Sequence, residues 1–94
     1  MKLRFYINPD TNTPHIYQHG VTEQEVEDIL AQPGEDRLGQ DGSRVALGQT
    51  RSGRYLRVIY VPDKETKSIF VITAYDLVGK ALLAYRRRTR QRRK

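Results

Sequence analysis

His19, Arg44 and Arg57 are the side chains of this 94-residue chain whose chemistry bears most directly on a phosphate. An unperturbed imidazole titrates near about 6.5, so His19 can take or give a proton at neutral pH. A guanidinium stays charged and offers a fork of donors that fits two phosphate oxygens at once. Tyr55, Tyr60 and Tyr75 offer rings for stacking a base and phenols that can donate a proton. Breaking a phosphodiester without a metal needs these parts: a base for the attacking hydroxyl, an acid for the leaving oxygen, and fixed positive charge for the phosphorane. His15 and His19 stand i, i+4, the spacing of a helical metal pair. No third ligand stands beside them in the sequence, so neither a metal nor another cofactor is expected.

A second cationic group is larger. Of the nine residues Arg86 to Lys94, seven are Lys or Arg. Packing does not account for such a density of like charge. It points to a polyanion, of which nucleic acid is the commonest. Arg86, Arg87 and Arg88 are expected to be the ordered part of that contact, and Arg90 to Lys94 a loose extension. Lys80 belongs with them on the exposed face of the last helix. The charge is unevenly placed: residues 1–47 hold four Lys/Arg against eight Asp/Glu, and residues 48–94 hold thirteen against three. That asymmetry favours a directed binding surface over general solubility.

The elements that must position these groups follow from patterning. One domain over residues 1–89 with a basic tail over 90–94 is expected, because so short a chain carries only one small core. Leu3 to Ile7 alternates as a first strand. Thr13-Pro14 and Gly20 bracket a short helix over 13–19. Thr22-Glu23-Gln24-Glu25 is a capping box opening a helix whose stripe is Val26, Ile29 and Leu30, and Pro33-Gly34 stops it. Strands follow around Arg37–Gly39, at Ser43–Thr50, Tyr55–Val61 and Ser68–Tyr75, joined by short turns that imply antiparallel hairpins. On the third of these, Leu56 and Val58 face the core, leaving Tyr55 and Arg57 together on the open face. Asp76 is a candidate cap for a last helix carrying Val78, Ala81, Leu82 and Tyr85. The predicted fold is α+β, order β-α-α-β-β-β-β-α: an antiparallel twisted sheet of about four to five strands with two N-terminal helices and one C-terminal helix. Cysteine is absent, excluding disulfides and thiolate metal sites, which suits a cytoplasmic protein. No apolar run approaches the ~20 residues that span a bilayer, and no signal peptide is visible.

Several segments in this order resemble BrnT-like ribonuclease toxins of the RelE/ParE superfamily. They are His19-Gly20-Val21 with the acidic helix to Pro33, Asp41-Gly42-Ser43-Arg44, Ala46 to Thr50, Gly53 to Tyr60, Ile69 to Ala74, and a basic helix with Tyr85-Arg86. The resemblance implies a metal-independent endoribonuclease acting on RNA and held in check by a cognate antitoxin protein. It also implies a toxin–antitoxin complex that binds operator DNA. The catalytic candidates are then His19, Arg44 and Arg57, and the nucleic-acid contacts Tyr55, Lys80, Arg86, Arg87, Arg88 and Arg90. The chain departs from the family pattern at Gln18, where those toxins carry Lys, and at Ala74-Tyr75-Asp76, where they tend to carry arginines. Both departures remove positive charge. A non-catalytic module binding nucleic acid or an antitoxin on the same fold is therefore the alternative reading.

Overall fold

Thr22 and Glu25 start the principal helix by satisfying each other's amides. The Glu25 N–H donates to Thr22 Oγ1 at 3.1 Å, and the Thr22 N–H donates to Glu25 Oε1 at 2.9 Å. This is the capping box expected from the sequence, and it opens α1 (Glu23–Ala31). The computed structural model in which it is seen describes residues 2–92. Val26 and Ile29 of α1 are fully buried.

They pack on a five-stranded sheet. Its strands are β1 (Lys2–Phe5), β4 (Glu35–Leu38), β5 (Arg44–Gln49), β6 (Tyr55–Asp63) and β7 (Ser68–Asp76), in the order β1-β7-β6-β5-β4. The four strands joined by short turns are mutually antiparallel, with Arg57 opposite both Leu47 and Tyr75. Alternation along β5 to β7 sends Ala46, Leu56, Val58, Tyr60, Val71 and Ala74 to one face. There they meet Val26 and Ile29 of α1 together with Ile16 and Val21. The opposite parity places Leu47 and Tyr55 on the other face, where Leu77, Leu82 and Tyr85 cover them. Leu82 and Tyr85 belong to α2 (Gly79–Arg92). The two helices thus lie on opposite faces of the sheet.

The expected fold is corrected in several respects. The sheet is mixed rather than antiparallel, because β1 runs parallel to β7, with Leu3 opposite Ile69. No short turn joins those two strands, so nothing in the turn chemistry set their direction. Only one N-terminal α-helix forms. The segment read as the first of two is a single 3₁₀ helix (His15–His19). Thr13 and Pro14 do not cap an α-helix there. They form β3 (Thr13–Pro14), which pairs with β2 (Ile7–Asn8) in a separate two-stranded sheet. Five residues are too few to repay nucleation of an α-helix, and the tighter 3₁₀ form is the usual outcome. Gly20 ends it as foreseen, in the left-handed region at φ 67°.

The last helix differs too. Asp76 ends β7 instead of capping, and α2 begins only at Gly79. Val78 is 65% exposed, so Leu77 supplies the burial expected of it. The α-helical backbone continues through Arg92, where a loose tail was expected from Arg90. Arg93 and Lys94 lie outside the described residues. One close approach anchors α2: a Cβ on Gly34 would overlap the Tyr85 hydroxyl, so this turn accepts only glycine as α2 now lies.

The 3₁₀ helix also closes an edge. β1 pairs with Ser68 to Val71 only, which leaves the second half of β7 without a strand partner on that side. The 3₁₀ helix packs against β7 there. Ile16 drops into the core, while His15 and His19 stay on the rim.

Candidate active site

Alternation puts Arg57 of β6 and Tyr75 of β7 side by side on the face opposite α1. The Arg57 guanidinium carbon sits 5.9 Å from the centre of the Tyr75 ring. On the far side of Tyr75 stands His19, its ring 5.8 Å away and inclined at 62°. His15 follows at 5.3 Å from His19, edge to face, and Tyr6 at 6.1 Å from His15. An unbroken row therefore runs Arg57, Tyr75, His19, His15, Tyr6 across the end of β7.

Among the described residues, three buried side-chain polar atoms have no hydrogen-bond partner: Arg57 Nε, His15 Nδ1 and Thr73 Oγ1. Two belong to the row. Thr73 stands two residues before Tyr75, on the same face of β7, one pair along from Arg57. A buried polar atom left unpaired costs about 1–3 kcal/mol. Each of the three is a point where the chain itself supplies no polar partner.

Arg54 holds the row in place. Its Nε–H donates to Asp76 at 2.7 Å, and one Nη donates to Glu25 at 3.0 Å and to the Gly20 carbonyl at 2.7 Å. The other Nη donates to the His19 carbonyl at 3.3 Å. One guanidinium thus ties the capping box of α1, the end of β7 and the last turn of the 3₁₀ helix together. The hydrogen bond from Arg54 holds the Asp76 carboxyl below its ordinary range, with a smaller attraction from His19.

Arg44 is not brought to this row. It lies on the α1 face of the sheet near the far edge, where its Nε–H donates to Asp36 at 3.1 Å. Tyr60 donates to the same carboxylate at 2.6 Å. Burial first, then Asp36, pushes the Tyr60 phenol up to about 12. It therefore stays a proton-bearing donor to Asp36.

The tail candidates divide. Arg88 forks onto Glu35 with contacts of 2.5 and 2.9 Å, and that carboxylate side chain is only 10% exposed. It is a strut between α2 and β4. Arg86 lies over Tyr55, its guanidinium carbon 5.7 Å from the ring centre. With Arg90 it borders a groove of about 370 Å³ whose other walls are Gln49, Tyr55, Tyr85 and Thr89. Arg86 and Arg88 are two residues apart and so point to opposite flanks of the helix. Lys80 and Arg87 are exposed.

Two of the three catalytic candidates, His19 and Arg57, are therefore neighbours across one ring. Tyr55, Arg86 and Arg90 make a second cluster. Arg44 and Arg88 are committed to carboxylates. Sequence reasoning missed the parts played by His15, Thr73 and Arg54. The i, i+4 spacing of the histidines was the one usable signal for His15, and no local pattern marks Arg54. Among the described residues, no group of three or more His, Asp or Glu is disposed to hold a metal ion.

A mixed five-stranded sheet with one helix on each face and a histidine-bearing 3₁₀ helix along an unpaired edge defines the domain. The chain belongs to the family described as "Domain of unknown function (DUF4258)", whose profile matches residues 15–76. The match begins at His15 and ends at Asp76, so every member of the row except Tyr6 lies inside it, and all of α2 lies outside. No curated protein and no solved structure matches the chain.

Proposed function

We propose that this chain is a metal-independent endoribonuclease, the toxin of a bacterial type II toxin–antitoxin pair, with its reaction centre on the row from Arg57 to His15. The observation that carries the reading is the Arg57 guanidinium. Its Nε is buried without a partner, and a histidine stands one ring away. A desolvated donor fixed beside a proton carrier suits a phosphorane, where negative charge develops during reaction. Arg57 would hold the phosphate and His19 would move a proton. The resemblance to BrnT-like toxins supplies the rest: a cognate antitoxin that covers the row, and operator DNA bound by the complex. RNA as substrate makes the cytoplasm its place of action. No helix among the described residues is long and apolar enough to cross a membrane.

The test is direct. The purified chain should cleave cellular RNA in the presence of a chelator, and its expression should arrest bacterial growth. Arg57→Ala and His19→Ala should each abolish both effects. Intact RNA and normal growth at high soluble expression would refute the proposal.

One observation favours a second reading, a non-catalytic binding module. Arg86 and Arg90 border Tyr55 across a groove and, among the described residues, make no ion pair with a carboxylate. A stacked base flanked by phosphates fits such walls. Binding without cleavage, abolished by Arg86→Ala/Arg90→Ala and indifferent to His19→Ala, would select it.

A further inference from the structure

We propose that His15 and His19 work as a pair, one as base and the other as acid, on a strand that carries a 2′-hydroxyl. The inference rests on the ribonuclease reading and deepens it by naming the second proton carrier. Cleavage by an internal hydroxyl places the attacking and leaving oxygens on opposite sides of phosphorus. One imidazole cannot reach both without moving. Two rings in edge-to-face contact, 5.3 Å apart and at 77° to one another, turn their nitrogens in different directions beside a single bound phosphate. Arg57 lies one ring farther along the row, beyond Tyr75, and is placed for a neighbouring phosphate of the same strand.

Three features set His15 apart from a surface histidine. Its Nδ1 is buried and has no partner, so the ring is held without being spent on a structural hydrogen bond. The 3₁₀ helix fixes its backbone, with the His15 N–H donating to the Tyr6 carbonyl at 2.9 Å. The same helix carries His19, whose own carbonyl is clamped by Arg54. Two imidazoles on one clamped turn keep their separation, the preorganisation that proton transfer to positioned atoms requires.

The chemistry balances without a co-reactant. The 2′-oxygen bonds to phosphorus as its proton passes to one imidazole. The bond from phosphorus to the 5′-oxygen breaks as the other, an imidazolium, gives its proton to that oxygen. The products are a 2′,3′-cyclic phosphate and a 5′-hydroxyl, and nothing is oxidised or reduced. DNA lacks the attacking hydroxyl and cannot react this way. The charged and titratable groups facing the pair are Tyr6 before the 3₁₀ helix, Tyr75 and Asp76 on β7, Arg54 just before β6 and Arg57 on it, and Glu25 on α1 through Arg54.

The experiment compares the full chain with its His15→Ala, His15→Gln and His19→Ala variants on a short RNA. One substrate has the natural 5′-oxygen at the scissile bond, and the other a 5′-sulfur, which leaves without being protonated. Each variant should lose at least about a hundredfold on the natural substrate, the usual worth of one proton carrier. The sulfur substrate should restore the variant lacking the acid to within about tenfold of the unmodified chain and leave the variant lacking the base impaired. The bell-shaped pH profile of the unmodified chain should keep one limb in each variant. Thermal melting confirms that the variants fold, and His15→Gln keeps the side chain's bulk should the alanine variant fail. Wild-type rates in both His15 variants, or equal rescue of both positions, would overturn the pair while the ribonuclease reading stands. An unmodified chain that cleaves no RNA would overturn both.

Discussion

Arg44 and Arg57 are the same residue type on adjacent strands, and their surroundings give them opposite parts. Arg57 has a buried donor with no partner, whereas Arg44 is held by Asp36, whose other oxygen accepts from Tyr60. Arg57→Lys should therefore leave thermal stability nearly unchanged and still lower cleavage by about 10²–10³, because an ammonium cannot reproduce the fork. Arg44→Ala should do the reverse, lowering the melting temperature with the cleavage rate intact. Melting curves and single-turnover rates on the two variants separate these outcomes. The sequence alone reached half of this distinction. Alternation along β6 places Tyr55 and Arg57 on the face opposite Leu56 and Val58. The partner that occupies Arg44 comes from β4, a strand whose bounds turn chemistry did not show, so its commitment was invisible.

At the level of elements, Arg54 and Gly34 make the sharpest claims. Arg54 lowers the Asp76 carboxyl below its ordinary 3.8. A carboxylate depressed in the folded state stabilises fully above its unfolded value, and that contribution is lost as pH falls through the folded value. Arg54→Met should therefore be less stable than the unmodified chain by a constant amount above about pH 5, and the gap should narrow below pH 4. Urea titrations at several pH values measure it. The same variant should slow cleavage as well, since it unclamps the turn bearing His19. Gly34→Ala should cost about 1–3 kcal/mol through overpacking against Tyr85, and Tyr85→Phe in the same chain should recover part of that loss. The capping box, the central strands and the Gly20 stop were legible because each is a local pattern whose physics closes within a few residues. The direction of β1 and the 3₁₀ turn were not. The first depends on a strand some 65 positions away, and the second on β2 claiming Thr13 and Pro14 before a helix could use them.

Over the whole molecule, charge and family membership separate. The matched segment ends at Asp76, before any of the arginines of α2. His15, His19, Arg57 and Tyr75 lie within the matched segment, and the basic helix lies beyond it. Within α2 the arginines are not equivalent. Arg88 braces the helix against Glu35, and Arg86 and Arg90 flank the groove. Arg86→Ala/Arg90→Ala should weaken RNA binding and flatten its salt dependence by about 1.4, or 0.7 for each phosphate no longer neutralised. Fluorescence anisotropy at several salt concentrations reads that slope. Arg88→Ala should lower the melting temperature with little change in slope. The sequence marked the cationic stretch plainly and could not sort it, because sorting required knowing that Glu35 comes within reach of the third turn of α2.

The 3₁₀ helix carries both histidines and also covers the part of β7's outer edge that β1 leaves unpaired. An uncovered strand edge recruits other chains. Lesions on this turn should then fall into two kinds. Changes confined to the imidazole rings yield inert protein that stays dispersed. Changes that unseat the turn, such as Ile16→Asp, yield protein that clumps as it dies. Inactivity and insolubility are thus linked through one five-residue segment, and the fraction recovered in the supernatant tells which has been broken.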